Sequence, residues 1–218
     1  MQGECALEAT VHRGGEKAVK LTLPRGQQWF AVIVIAIFVL YLGNRLWTHR
    51  DITWLWKEEV QLADGTRLWV ERVEVREVKG GGEPFTGITR GTKTTQIRFP
   101  DNQGEVVWEA TLAAMILERG EPPARWTVIA SPVWCEEHYQ YGSPKPPYIQ
   151  FDYVNGQWTH KHVDPKWYGR KANLSMDEEQ HATGKVLPVD QVRKFNDPVY
   201  KISKRYLSVD GNYKSNCY

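Results

Sequence analysis

The clearest pattern in the chain is an apolar run at residues 29–43, which contains no charged residue and no proline. At about 1.5 Å per residue, this run is slightly shorter than a hydrocarbon layer about 30 Å thick. Extension through Leu46 and Trp47 reaches spanning length, with the Arg45 guanidinium directed toward the headgroups. The pattern predicts a transmembrane helix at residues 28–47. A fully buried strand or core helix is the alternative, because β-branched residues dominate the run.

This helix divides the chain into a head at residues 1–27 and a body at residues 48–218. The head is too long and too acidic for the charged region of a cleaved signal peptide, so we expect an uncleaved signal anchor. Four Lys or Arg residues lie on the head side, against three from Arg45 onward near the far end. This small excess favours a cytoplasmic head and a periplasmic body.

The body opens with alternating apolar and polar residues, which predict a strand at residues 52–62 with one buried face that only Glu58 interrupts. An Asp-Gly turn follows. Pairing Leu62 with Thr66 across a bulged three-residue loop places the apolar residues of both strands on one face, so we predict that register. The apolar parity then changes at Val73 and Val75, which predicts a second bulge or a strong twist near residues 71–72.

Four further segments have recognisable patterns. Residues 92–108 predict a second hairpin around an Asp-Asn-Gln-Gly turn. Residues 110–117 carry apolar side chains at helical spacing, which favours a short helix over a strand. A capping-box pattern predicts a short helix that begins near Ser175 and ends before Gly184, and another helix is expected at residues 188–195.

The strongest local pattern is an Asn-Gly pair between two alternating runs within residues 148–163. Asn-Gly in this setting favours a type I′ turn, which pairs Phe151 with His160. The same register pairs Ile149 with His162. We therefore expect both imidazoles on one aromatic face.

Composition adds an unusual aromatic content of ten Trp and ten Tyr, which indicates either a core of large rings or an aromatic recognition surface. The formal net charge is +2 with both signs interspersed, so we expect no nucleic-acid partner. About 170 residues beyond the predicted helix suffice for one domain. The patterns together predict a mainly β fold: a single N-terminal transmembrane helix, then an antiparallel β-sandwich or partly open β-barrel with two or three short helices.

Two of the three cysteines, Cys135 and Cys217, lie in the body. In an oxidising compartment they would form a disulfide that ties the C-terminal tail to the domain. Two unrelated thiols are the alternative, because spacing along the chain does not establish that the two Cα atoms are close.

His160 and His162 are weak candidates for metal ligands, with Cys135 as a third. A metal site normally needs three or four placed ligands, and the predicted strand fixes only the two histidines. Histidines packed within or at the edge of an aromatic core are the alternative. We therefore expect no cofactor.

A proline-rich and aromatic segment before the Asn-Gly hairpin is a candidate binding platform for a glycan or a partner peptide. The alternative is that its rings simply pack on the sheet. Its candidate residues are Trp134, Tyr139, Tyr141, Pro144, Pro146, Pro147 and Tyr148.

Catalytic motifs are missing from the sequence, which contains no Gly-x-Ser-x-Gly elbow, no His-Glu-x-x-His and no phosphate-binding loop. Its neighbouring carboxylates would point to opposite faces of a strand and would not act as a pair. We expect that the protein is not an enzyme.

A resemblance to known proteins rests on motif spacing within about residues 54–175. The motifs are Trp56-x-Glu58-x-Val60-x-Leu62-x-Asp64-Gly65, Cys135, Gly142-Ser143-Pro144-x-Pro146-Pro147-Tyr148-Ile149 and Asn155-Gly156-x-Trp158. In these motifs the chain resembles small uncharacterised proteobacterial envelope proteins. The resemblance implies a bacterial envelope location and no particular activity.

These observations predict a non-catalytic accessory subunit or protein-interaction domain that spans the bacterial inner membrane once, with its body in the periplasm. Its expected partners are membrane lipid and a membrane protein or complex. The alternatives are a periplasmic glycan-binding module with an aromatic platform and a metal-handling protein that uses His160 and His162. Exposed rings at five positions would favour a binding surface over a plain core: Trp134, Tyr139, Tyr141, Trp167 and Tyr168.

Overall fold

The computed structural model describes residues 25–80, 87–176, 184–197 and 204–217. The strands are β1 (His49–Gln61), β2 (Arg67–Gly80), β3 (Gly87–Asp101), β4 (Gly104–Ala110), β5 (Ala113–Arg119), β6 (Trp126–Ser131), β7 (Ile149–Val154), β8 (Gln157–His162) and β9 (Val186–Leu187). The helices are α1 (Arg25–Thr48), α2 (Cys135–Gln140), α3 (Val189–Phe195) and α4 (Lys204–Leu207), with a 3₁₀ turn at Pro165–Trp167. The helix expected between Ser175 and Gly184 falls mostly on residues 177–183, outside the described residues.

A helix is present where the apolar run predicts one. It contains 24 residues, and its described apolar side chains from Trp29 to Leu42 are largely exposed. Over the described part of the chain, no helix combines the length and the hydropathy needed to cross a membrane. The transmembrane function of α1 therefore stays a prediction.

The body is mainly β and consists of two sheets among the described residues, in the strand orders β4-β3-β2-β1-β9 and β5-β6-β7-β8. Both sheets contribute to one hydrophobic core. Aromatic rings meet edge to face across this core, with Phe99 4.7 Å from Trp126 and Trp108 5.3 Å from Phe151 between ring centroids. Many of the Trp rings therefore form a core of large rings, which was one of the two readings of the composition.

The first hairpin has the predicted bulged register. The Leu62 N–H donates to the Thr66 carbonyl at 2.8 Å, and Gly65 has a φ of +83°, which its missing Cβ permits. Val60 lies opposite Leu68. The second predicted hairpin is also present as β3 and β4, and the helix expected at residues 188–195 is α3.

Of the two alternatives predicted near residues 71–72, a bulge or a strong twist, the bulge is wrong, because the β1–β2 register is continuous through this region. The buried face continues instead through the charged side chains of Arg72, Glu74 and Arg76, and it leaves Val73 only half-buried on the opposite face. The irregular register lies further on, between β2 and β3 beyond Val75. Charged residues are tolerated on the inner face because they pair there.

Glu58 is fully buried, and its carboxylate joins three parts of the chain. It accepts hydrogen bonds from Arg72 Nη1 at 2.9 Å and from the Ser175 backbone N–H at 3.0 Å. The Arg72 guanidinium also lies 5.0 Å from the centroid of the Trp56 ring. A buried carboxylate requires such partners, so the residue that interrupts the apolar alternation of β1 fixes β2 and the C-terminal chain against it.

The short helix predicted at residues 110–117 is wrong, because β5 occupies Ala113–Arg119. Both faces of β5 are covered: Leu117 packs in the core between the sheets, and Met115 and Ile116 pack in a second cluster beneath the C-terminal segment. A strand that is buried on both faces loses its alternation, and its apolar residues then also fit a helical spacing.

A stretch that we name the closing segment, residues 170–176, bonds to both sheets at one side of the core. The Asn173 amide donates to the carbonyl oxygens of Gln61 in β1 and Leu117 in β5, at 3.1 and 2.8 Å. Its oxygen accepts the Leu117 N–H at 2.9 Å. One side chain thus bonds strands of both sheets. On the other side, Trp158 Nε1 of β8 donates to the Val107 carbonyl of β4 at 2.7 Å.

We predict that Glu58→Ala lowers the free energy of unfolding by about 3–5 kcal/mol, because it leaves the Arg72 charge buried without its carboxylate. Urea unfolding of the full chain in detergent, followed by tryptophan fluorescence, measures this loss. Lys57→Ala is the matched control, since Lys57 is exposed on the same strand and its loss should cost less than about 0.5 kcal/mol. Equal small losses in both variants would contradict the structural role of Glu58.

Candidate functional site

The C-terminal tail is bonded covalently to α2. Cys135 and Cys217 form a disulfide with 5.3 Å between their Cα atoms, across a sequence separation of 82 residues. The sequence left this pairing open, and the structure contains it. Tyr139 adds a hydrogen bond from its hydroxyl to the Cys217 carbonyl at 2.6 Å. Two residues of this short helix therefore hold the C-terminal tail at Cys217.

The N-terminal end of α2 is held by Glu137, whose buried carboxylate accepts the backbone N–H groups of Val133 and Trp134 at 2.6 and 3.2 Å. Such a bond satisfies donors that a helix start otherwise leaves unpaired. The hydrogen bonds to Glu137 and the disulfide stabilise this helix, which has only six residues. A helix of that length would be unstable alone.

Two large rings of this region face solvent. Trp134 is 49 % exposed and Tyr139 is 57 % exposed, although the backbone beneath them is fixed by the contacts just described. Tyr141 is half-buried, Trp167 is buried and Tyr168 is 40 % exposed. Among the described residues, the aromatic surface around the disulfide therefore consists of Trp134 and Tyr139.

The prolines and Tyr148 do not belong to an exposed platform. Pro144, Pro146, Pro147 and Tyr148 are buried. Tyr148 packs in the second cluster, and its hydroxyl donates to the Ser208 carbonyl at 3.3 Å. These four residues therefore form a packed loop and not the predicted binding platform, because the loop packs against the C-terminal chain and its side chains do not face solvent.

The Asn-Gly hairpin has the predicted register. Asn155 and Gly156 both have positive φ, at 51° and 82°, as a type I′ turn requires. Phe151 lies opposite His160, and two positions further along the same face Ile149 lies opposite His162. These pairs place both imidazoles on the predicted face.

His160 and His162 are exposed and stand beside a small pocket of about 240 Å³ that Tyr141, Pro144 and Ile149 also line. Tyr141 lies 5.4 Å from His160 between ring centroids, and burial raises the pKa of its phenol. The histidines therefore lie at the edge of the aromatic packing, one of the alternatives left open by the sequence.

A metal site built on these histidines lacks its third ligand. Cys135 is bonded to Cys217 and has no free thiolate, and no group of three or more His, Cys, Asp or Glu side chains in the described residues is arranged to hold a metal ion. His138 lies within α2, where burial and then the nearby Lys145 charge lower its pKa.

A polar cluster on the other face of the hairpin was not predicted from the sequence. Asp152 accepts hydrogen bonds from Thr127 Oγ1 at 2.8 Å and Gln150 Nε2 at 2.9 Å, and it forms an ion pair with Lys161 at 2.6 Å. Burial alone would raise the pKa of Asp152, but these three partners outweigh it and lower the pKa. The sequence did contain a signal for this cluster. In the predicted register of the hairpin, Asp152 and Lys161 carry opposite charges at diagonal positions.

A larger cleft of about 560 Å³ lies between the closing segment and α3. Its polar groups bond to one another: Arg170 pairs with Glu118 at 2.6 Å, and Arg193 donates to the Gln61 side chain. Asn196 donates to the Leu174 carbonyl at 2.8 Å. These bonds serve the fold, and we assign the cleft no ligand.

Comparison with protein-family models, curated proteins and solved structures found no match for this chain.

We predict that replacing both Cys135 and Cys217 by Ser lowers the free energy of unfolding by about 2–5 kcal/mol, because the loop that they close is long. Urea unfolding with and without a reductant measures the loss, and reductant should bring the wild type to the level of the variant. Cys5→Ser is the control that leaves this disulfide intact. A wild-type protein indifferent to reduction would contradict the prediction.

We also predict a pH-dependent contribution from Asp152. Its folded pKa lies below the usual 3.8, so its stabilisation is complete above that value and is lost as the pH falls through the folded pKa. Asp152→Asn should cost about 1–2 kcal/mol at pH 7, and this difference should shrink as the pH falls below about 4. Unfolding free energies between pH 3 and 7 test this, with Asp190→Asn as the control because the Asp190 side chain is exposed on α3. A difference independent of pH would contradict it.

Proposed function

We propose that this protein is a non-catalytic accessory subunit or protein-interaction domain, anchored in a bacterial inner membrane with its body in the periplasm. The observation that carries the proposal is the exposure of Trp134 and Tyr139 at a short helix whose first turn is held by the Cys135–Cys217 disulfide and the Glu137 carboxylate. Its partner is a membrane protein or complex, and its anchor contacts lipid.

Fixed and exposed aromatic rings suit protein recognition. Trp and Tyr contribute large contact areas and are enriched among the residues that dominate binding energy. Because the disulfide and the Glu137 carboxylate already hold the backbone, little conformational entropy remains to be lost on binding.

The anchor is proposed on the sequence of α1. Its apolar residues from Trp29 to Leu42 include no charge, and they are exposed on every side of the helix. A helix that is apolar all round is unfavourable in water and needs an apolar environment. A bilayer supplies this environment, and the flanking Trp and Tyr residues fit its interfaces.

The compartment is proposed on the disulfide and the resemblance. A bond between Cys135 and Cys217 persists in oxidising surroundings such as the periplasm. The resemblance of its motif spacing to small proteobacterial envelope proteins supports the same proposal. The sequence has none of the catalytic motifs considered above, so the proposal includes no reaction.

A glycan-binding module is the second candidate. One face of the exposed Tyr168 ring lies against Gly211, where an added Cβ would be 2.6 Å from a ring carbon. The ring borders a cleft that Lys171, Asp210 and Asn212 also line. An aromatic ring beside amide and charged groups offers stacking and hydrogen bonds to a sugar.

We predict that Trp134→Ala with Tyr139→Ala reduces recovery of the partner at least about tenfold. The test is affinity purification from detergent-solubilised bacterial membranes, followed by quantitative mass spectrometry. The tag belongs at the N-terminus, because Cys217 near the C-terminus is bonded beside the tested rings. Trp69→Ala is the matched control, since Trp69 is 45 % exposed on β2.

Partner recovery that falls equally in both variants, or in neither, would contradict the protein-interaction proposal. Sedimentation of the wild type with purified cell-wall glycan, lost in Tyr168→Ala and retained in the Trp134 and Tyr139 double variant, would favour the second candidate.

A further inference from the structure

In the part of the chain that the structure describes, groups of the chain itself bond to the edges at β5 and β4, and the third edge is β9, a strand of only two residues. At β5, the backbone N–H groups of Asn173 and Leu174 both donate to the Met115 carbonyl at 3.1 Å. At β1, short β9 adds a parallel strand, and Glu59 accepts the Val189 N–H at 3.1 Å. At β4, the Trp158 indole donates to the Val107 carbonyl. Covered edges do not recruit additional strands.

The fourth edge, β8, is open among the described residues. The type I′ turn makes Val154 and Gln157 a hydrogen-bonded pair, and such pairs then alternate along the hairpin. The backbone groups of Gln157, Thr159 and Lys161 therefore point toward β7, and those of the residues between them point outward. The outward groups belong to Trp158, His160 and His162, whose side chains are half-buried or exposed.

This open edge also lacks the usual protection against strand addition. Edge strands are commonly protected by proline, by a bulge or by a free lysine. The β7–β8 register is regular, the strand contains no proline, and its one lysine is ion-paired with Asp152 at 2.6 Å. The edge therefore presents a regular backbone with its single formal charge compensated.

We propose that β8 pairs with β8 of a second copy of this chain, antiparallel and about a two-fold axis at His160. The two four-stranded sheets then form one continuous sheet across the dimer. In this register His160 faces His160 of the partner subunit, and Thr159 faces Lys161 of the partner subunit. The edge is thus self-complementary in hydrogen bonding, and no two formal charges of the same sign lie opposite each other.

This pairing goes beyond the proposed function. It uses β8, and the aromatic surface of Trp134 and Tyr139 takes no part in it. It holds whether or not α1 enters a membrane, so the dimer and the partner interaction can fail separately.

Register-specific cross-linking tests the pairing. In the full chain carrying Cys5→Ser, in detergent, His160→Cys should form an intermolecular disulfide under mild oxidation, because the two Cα atoms of such a pair lie about 5.5 Å apart. Gln157→Cys is the matched control on the same strand. Its two copies lie about 20 Å apart in the antiparallel register and should remain unlinked. Equal cross-linking at both positions, or none at His160→Cys, overturns the proposal.

A second variant separates the edge from the fold. His160→Pro removes an outward N–H that the β7–β8 ladder does not use, and proline is tolerated on edge strands. Sedimentation velocity of the full chain should show a dimer for the wild type and a weakening of association by at least about tenfold for His160→Pro, with the intact Cys135–Cys217 bond reporting a folded variant. A monomeric wild type at about 100 μM, a dimer that persists in His160→Pro, or an edge occupied by another protein's strand overturns the proposal.

Discussion

The carboxylate of Glu58 is the constraint on which much of this structure depends, because it is withdrawn completely from water and must be satisfied inside the protein. Arg72 compensates its charge, and the Ser175 backbone completes its coordination from the closing segment. The same segment carries Asn173, which bonds strands of both sheets. A single buried acid therefore links the first hairpin to the C-terminal chain that seals the sandwich.

The packing of the two sheets and the C-terminal chain determines which aromatic rings are buried and which are exposed. Trp56, Trp108 and Trp126 are buried and serve stability. The chain end returns across the domain and bonds covalently to α2, which leaves Trp134 and Tyr139 in solvent over a fixed backbone. Rings that the fold does not bury, at a position that the fold makes rigid, are the basis of the proposed protein interaction.

The parts of the fold that the sequence predicted depend on local chemistry. The Leu62–Thr66 and Asn155–Gly156 turns follow from the conformations that glycine and asparagine adopt, and they fix the register of the strands beside them. The errors arise where the interior departs from simple patterns. The parity change at Val73 and Val75 was interpreted as a bulge or a strong twist, although the buried face continues through Arg72, which pairs with Glu58. In β5 the alternation is lost because both faces are covered.

The candidate site was predictable only in outline. Sequence identified the aromatic and proline segment, but whether a ring such as Trp134 or Tyr148 faces solvent depends on where the C-terminal chain crosses it. That crossing involves contacts between residues more than 60 positions apart, and no local pattern encodes them. The Asp152 cluster was missed for a different reason. Its partners Thr127 and Lys161 lie on the two strands that flank β7, and finding them requires the registers of both strand pairs to be considered together.

The central claim is that the surface at Trp134 contacts another membrane protein in the native envelope. The most direct measurement is photo-cross-linking in intact cells, with a benzophenone amino acid placed at position 134 and, for comparison, at position 69. We expect one discrete adduct with a membrane protein from position 134 and none from position 69. No adduct from position 134, or the same adducts from both positions, would contradict it.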